Sequence, residues 1–134
     1  MSAEGVLLNR DDDIRYVTVA DGTAITKGTL IVLSSDPNTG IAHSGINQVP
    51  LGILVEDKVA SDGQTLVGIR VRGDYDMVAD GAIVLGELLE PGAAVNDVIT
   101  LRTTISSGSL RLVLGRCLET ASDNEVVRVR LLLG

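Results

Sequence analysis

Few side chains in this 134-residue chain could do chemistry, and their spacing decides what chemistry that would be. There is one histidine, His43, and one cysteine, Cys117. A hydrolytic triad needs a nucleophile within reach of the histidine, and no serine stands in a G-x-S-x-G elbow. His43 sits between Ile41 and Ser44 and is expected to be an exposed loop residue. Cys117 falls in the apolar run 112–118, where a thiol serves as a small hydrophobe. A reactive thiolate wants a cation beside it, and Arg116, one residue away on a strand, points to the opposite face. One cysteine and one histidine cannot furnish a zinc site. Asp11-Asp12-Asp13 lacks the glycine and distal glutamate of a calcium loop and reads as a solvated charge run. Asp74, Asp76 and Asp80 lie near one another without an identifiable acid–base role. The fifteen glycines form neither a P-loop nor a G-x-G-x-x-G fingerprint, so they serve turns and bulges. The expectation is a non-enzymatic protein with no catalytic residue, no cofactor and no metal.

The composition fits a structural role. Val, Leu and Ile number 17, 18 and 10, with no Phe or Trp and only Tyr16 and Tyr75 as aromatics. Such a core is aliphatic and heavily β-branched, which favours strands. A net charge of −7 lacks the basic footprint that phosphate binding requires, and two tyrosines offer little base stacking. No nucleic-acid partner is expected. Nor is a membrane partner, since no apolar run approaches the roughly 18 residues of a span and the N-terminus lacks a signal-peptide pattern. A lone cysteine makes no internal disulfide, consistent with synthesis in a cytoplasm.

The elements that must position these residues are strands. Residues 1–13 stand apart as an extended N-terminal arm, with an apolar cluster Val6-Leu7-Leu8 followed by Asp11, Asp12 and Asp13. Fully burying the three apolar side chains contributes roughly 5–9 kcal/mol. Ordering thirteen residues costs on the order of 13–26 kcal/mol. An arm that attaches to a neighbour must therefore also make backbone hydrogen bonds, most simply by adding a strand to a sheet edge. Residues 14–134 read as one all-β domain, a small β-barrel or β-tulip. Strands are expected at 14–19, 29–34, 51–55, 66–72, 82–85, 98–103, 110–119 and 126–133, with at most a short helical turn within 77–90. The continuous apolar run at 29–34 implies a strand buried on both faces.

Two stretches repeat each other. Leu51-Gly52, Glu56, Ser61-Asp62-Gly63 and Ile69-Arg70-Val71-Arg72 match Leu114-Gly115, Glu119, Ser122-Asp123-Asn124 and Val127-Arg128-Val129-Arg130. Each is read as a hairpin whose glycine meets another backbone or a bulge. The pairs Arg70/Arg72 and Arg128/Arg130 each lie on one face of a strand, opposite Ile69/Val71 and Val127/Val129. They are either a solvated face or a contact with a partner's carboxylates. Nine Arg against two Lys favours the second, because the guanidinium fork suits interfaces.

The order of four motifs carries a family resemblance. Gly22-Thr23-Ala24-Ile25-Thr26-Lys27-Gly28-Thr29-Leu30 precedes Pro50-Leu51-Gly52-Ile53-Leu54-Val55-Glu56. Val67-Gly68-Ile69-Arg70-Val71-Arg72-Gly73-Asp74-Tyr75 and the closing Leu114-Gly115-Arg116-Cys117-Leu118-Glu119 follow. Over residues 20–133 this resembles the capsid decoration, or cement, proteins of tailed phages. The resemblance implies a compact β-barrel or β-tulip, usually trimeric, on the outside of the assembled head at local three-fold sites. The implied partners are the major capsid protein and the protein itself as a homotrimer; the implied location is the virion's outer capsid surface. The alternative is another small β-barrel virion protein, from head completion, tail tube or fibre base. A carrier module with Lys27 or Lys58 as its modified lysine, and a small hydrolase, are weaker fits.

Overall fold

Alternation in the sequence becomes alternation in space. In the computed structural model, which describes residues 14–101 and 111–133, the last strand turns Val127, Val129 and Leu131 inward and Val126, Arg128, Arg130 and Leu132 outward. Ten strands follow in order: β1 Ile14–Thr18, β2 Leu30–Leu33, β3 Gly40–Ala42, β4 Pro50–Leu54, β5 Leu66–Arg70, β6 Arg72–Ala79, β7 Leu88–Pro91, β8 Asp97–Thr100, β9 Gly115–Cys117 and β10 Val126–Leu132. Among the described residues there is no helix. The protein is all-β.

The strands form two units with the same pairing. The first is a five-stranded sheet in the order β1-β5-β4-β2-β3. The second is a closed barrel that, cut between β6 and β8, reads β6-β10-β9-β7-β8. Each strand of the second unit therefore has a counterpart five places earlier. The barrel closes through a parallel β6–β8 pair, Val78 with Asp97 and Ala79 with Val98. In the first unit this contact shrinks to one parallel bridge between Thr18 and Thr39. Even the turn chemistry repeats. Thr18 N–H donates to Asn38 O at 3.3 Å and Val78 N–H to Asn96 O at 3.3 Å, with both asparagines at positive φ. Asparagine tolerates that conformation better than most residues.

The duplicated Leu-Gly motif has a matching cause. A Cβ on Gly52 would sit 2.8 Å from the Arg70 carbonyl oxygen, and one on Gly115 would overlap the Arg130 carbonyl oxygen. At both places β4 or β9 presses backbone to backbone on the following hairpin strand, which only glycine permits.

Core residues divide between the units, and β2 serves both. Val17, Val19, Ile25, Ile31, Leu54, Val67 and Ile69 fill the first unit. Leu30, Val32 and Ile53 face the other way and join Met77, Ile83, Leu89, Val98, Leu114, Val127 and Val129 in the second unit's core. The run expected at 29–34 is thus buried on both faces over residues 29–32, while Leu33 is exposed where the strand ends.

His43 corrects the expectation of an exposed loop residue. It is fully buried where the units meet. Its Nδ1 accepts from Asn96 N–H at 3.1 Å, so Nε2 carries the proton and donates to Gly92 O at 2.8 Å and Gly45 O at 3.1 Å. Asn96 in turn accepts Leu30 N–H on its Oδ1 at 2.8 Å. A loop of the second unit, some fifty residues along the chain, supplies the environment that no local pattern announces.

Four expected elements differ, the first being the strand at 110–119, which among the described residues keeps only β9 at Gly115–Cys117. The strand at 66–72 breaks at Val71, so β5 ends at Arg70 and β6 begins at Arg72. Residues 77–90 are strand, turn and strand, because Gly81 and Gly86 at positive φ set turns there. Residues 82–85 hold only the Ile83–Ala121 bridge, the counterpart of Ile25–Lys58.

Candidate partner-binding faces

Register places the second arginine pair opposite two aspartates. On the outer face of β6 and β10, Arg128 stands across from Asp76 and Arg130 across from Asp74. Arg128 Nε donates to Asp76 at 3.2 Å, and Arg130 holds Asp74 with two bonds of 2.9 and 3.2 Å. The hydrogen bond from Arg130 keeps the Asp74 carboxyl below its ordinary range, and the same contacts raise both guanidinium pKa values. These arginines already have carboxylates within their own chain. The ladder is solvent-exposed and thus open to screening by salt.

Arg70 and Arg72 do not form a pair on one strand. Arg70 ends β5 of the first sheet, half-buried across from Ile14, while Arg72 opens β6 of the barrel and is exposed. Buried Val71 links them. Val6, Leu7, Leu8, Asp11, Asp12 and Asp13 lie outside the described residues.

The equivalent outer face of the first unit, β1 with β5, is built differently. Its register sets Ile14 against Arg70, Tyr16 against Gly68 and Thr18 against Leu66. Tyr16 is 64% exposed and Leu66 55%. The outward phase of β1 was legible in its alternation, but nothing local distinguished Tyr16 from a scattered surface aromatic.

Lys58 has a structural post. Its ammonium is buried and bonded to Asp62 Oδ1 at 2.6 Å, Val59 O at 2.5 Å, Asp21 Oδ1 at 3.0 Å and Asp21 O at 3.1 Å. So held, it does not present a modifiable amine at a hairpin tip. Burial pulls its pKa down while the bonds from Asp62 and Asp21 push it up, and the net shift is upward from 10.5. Asp62 lies below its ordinary 3.8, first because of the bond from Lys58. The raised group stabilises the fold fully below about 10.5 and loses that contribution as pH rises through its folded pKa. The depressed carboxylate stabilises fully above about 3.8 and loses its contribution as pH falls through its folded pKa. Lys58→Met should therefore melt below wild type at neutral pH, with the gap narrowing at both the acid and alkaline ends. A gap in melting temperature that widens in acid would contradict this reading.

Strands and turns thus define a class: an all-β protein of two tandem five-stranded units, with its arginine–aspartate ladder on an outer strand face and His43 and Lys58 buried. No protein-family model matches the chain. Among solved structures it is similar to the crystal structure of the head fiber gp8.5 N base of bacteriophage phi29. That likeness has a TM-score of 0.52 and 16% identity, covering 88% of this chain and 92% of the phage one. It is a likeness of fold across nearly the whole length of both chains.

Proposed function

We propose that this chain is a non-catalytic structural protein of a phage virion, a decoration protein that docks on the outer surface of the assembled head at local three-fold sites. The observation that carries the proposal is the likeness of fold, over 88% of this chain, to a phage head fiber base. The decoration-like order of the Leu-Gly and Arg-Gly motifs supports it from the sequence side. Its partners are the major capsid protein and sister copies in a homotrimer. By binding only the assembled shell, such a protein stabilises it through mass action, and symmetry multiplies weak contacts into avidity. A second reading, favoured by the phi29 likeness, is that the chain forms the base of a head fibre. Negative-stain images of decorated heads separate the two, since a base carries a projecting fibre and a cement protein does not.

The arm is the proposed attachment, with Val6, Leu7 and Leu8 in a partner's sheet edge and Asp11 to Asp13 near its basic groups. Deleting residues 2–13 should leave a folded protein whose co-sedimentation with heads is lost. Undiminished co-sedimentation would return the arm to a solvated tail.

A further inference from the structure

Each unit serves as the other's control, because register equates their positions. Tyr16 corresponds to Asp76, Ile14 to Asp74, Gly68 to Arg128 and Arg70 to Arg130. The second unit fills this face with a ladder that satisfies itself. The first unit keeps the backbone and drops two aspartates and one arginine for an isoleucine, a tyrosine and a glycine. Gly68 is not needed for its backbone conformation, and a Cβ there would meet Ile14 and Tyr16 only at ordinary distances of 3.4 and 3.6 Å. Longer side chains would fill a cleft of about 230 Å3 lined by Ile14, Tyr16, Val55, Glu56, Leu66 and Gly68. Glycine leaves it open.

The acid at the rim shows the same divergence. In the second unit Glu119 accepts the Arg128 N–H at 2.9 Å. Its counterpart Glu56 is exposed and has no hydrogen-bond or ion-pair partner among the described residues. An open slot with apolar walls at Ile14, Tyr16, Val55 and Leu66, and with Gln64 and the unengaged carboxylate at its polar rim, is complementary to an apolar anchor beside a cation. Tyr16, exposed beside the slot, is also of a residue type enriched among the hot spots of interfaces.

We propose that the β1–β5 outer face docks a segment of a different protein that presents an aliphatic or aromatic anchor next to Arg or Lys. The anchor seats between Tyr16 and Leu66 over Gly68, and the cation meets Glu56. On the reading above, that protein is the shell; this identification rests on that reading, whereas the chemistry of the slot does not.

The test has two arms. In the first, labelled full-length protein is titrated with the peptide acetyl-Arg-Leu-Tyr-Arg-amide and with its Glu-for-Arg counterpart, followed by amide chemical shifts. The basic peptide should move Tyr16, Leu66 and Gly68 and bind at least tenfold tighter than the acidic one. Glu56→Gln should weaken it threefold or more. Tyr16→Asp with Gly68→Arg, which imports the second unit's ladder, should abolish it. The reciprocal exchange, Asp76→Tyr with Arg128→Gly, should leave the response at the first unit intact. No response in the slot, equal response to both peptides, or slot shifts on concentrating the protein alone would overturn the proposal, the last by assigning the face to a second copy. In the second arm, binding to purified heads should fall at least tenfold for Tyr16→Asp/Gly68→Arg, with its melting curve unchanged. Wild type and variant binding heads equally would also overturn it. Wild type binding no head would sink the shell reading alone, leaving the peptide arm to decide the slot.

Discussion

Replacing His43 by alanine should cost the protein about 2–5 kcal/mol of stability, one of the largest effects expected of any single substitution. The truncation leaves the buried Gly92 C=O and the part-buried Asn96 N–H at the junction of the two units without the ring atoms that now satisfy them. An orphaned buried polar group costs about 1–3 kcal/mol, and here two are orphaned at once. The side chain is also fully buried, so the substitution opens a cavity as well. Urea unfolding followed by far-UV circular dichroism reads the loss directly. A change within about 0.5 kcal/mol, the range of ordinary surface substitutions, would mean that the units are not held together through this ring.

The second large effect belongs to Gly115. A methyl group there overlaps the Arg130 carbonyl, so Gly115→Ala must push β9 away from β10 where Leu131 pairs with Gly115. Overpacking of this kind costs about 1–3 kcal/mol, and the loss of ladder pairing adds to it. Gly52→Ala should cost less, because its nearest backbone contact, Arg70 O, lies farther away at 2.8 Å. Gly22→Ala is the control: nothing lies within 4 Å of its Cβ position and its φ is not left-handed. It should be neutral or slightly stabilising through the unfolded chain. Equal losses at all three glycines would refute a close-approach cause for the repeated Leu-Gly motif.

These glycines mark what the sequence could convey. A Leu-Gly step followed four residues later by Glu recurs because the same backbone crossing recurs, and steric need keeps the residue type. The alternation of β1 and β10 was equally legible, as was β2, whose apolar run matches burial on both faces at Leu30, Ile31 and Val32 but not at exposed Leu33. The rest of the duplication was hidden because backbone pairing survives exchanges that erase sequence likeness. Lys58 and Ala121 occupy equivalent bridges, as do Tyr16 and Asp76 equivalent ladder positions. One carries a buried ammonium and the other a methyl group, yet the N–H and C=O groups pair alike. His43 was misread for a different reason: its partners come from the loop at 92–96 of the other unit, about fifty residues away in sequence. The arginine pairs were seen as two equal stripes, but an interruption of the strand at Val71 sends Arg70 and Arg72 to different sheets. The aspartates that engage Arg128 and Arg130 lie 52 and 56 residues away in sequence, beyond any local pattern.

The central claim is that this chain is a component of a phage head surface. The most direct measurement is a cryo-electron microscopy map of heads assembled from a major capsid protein encoded in the same genome, with and without added purified protein. The account predicts extra density on the outer surface at local three-fold positions, three copies each, into which the two five-stranded units fit. Heads whose outer surface is unchanged by saturating protein would contradict it.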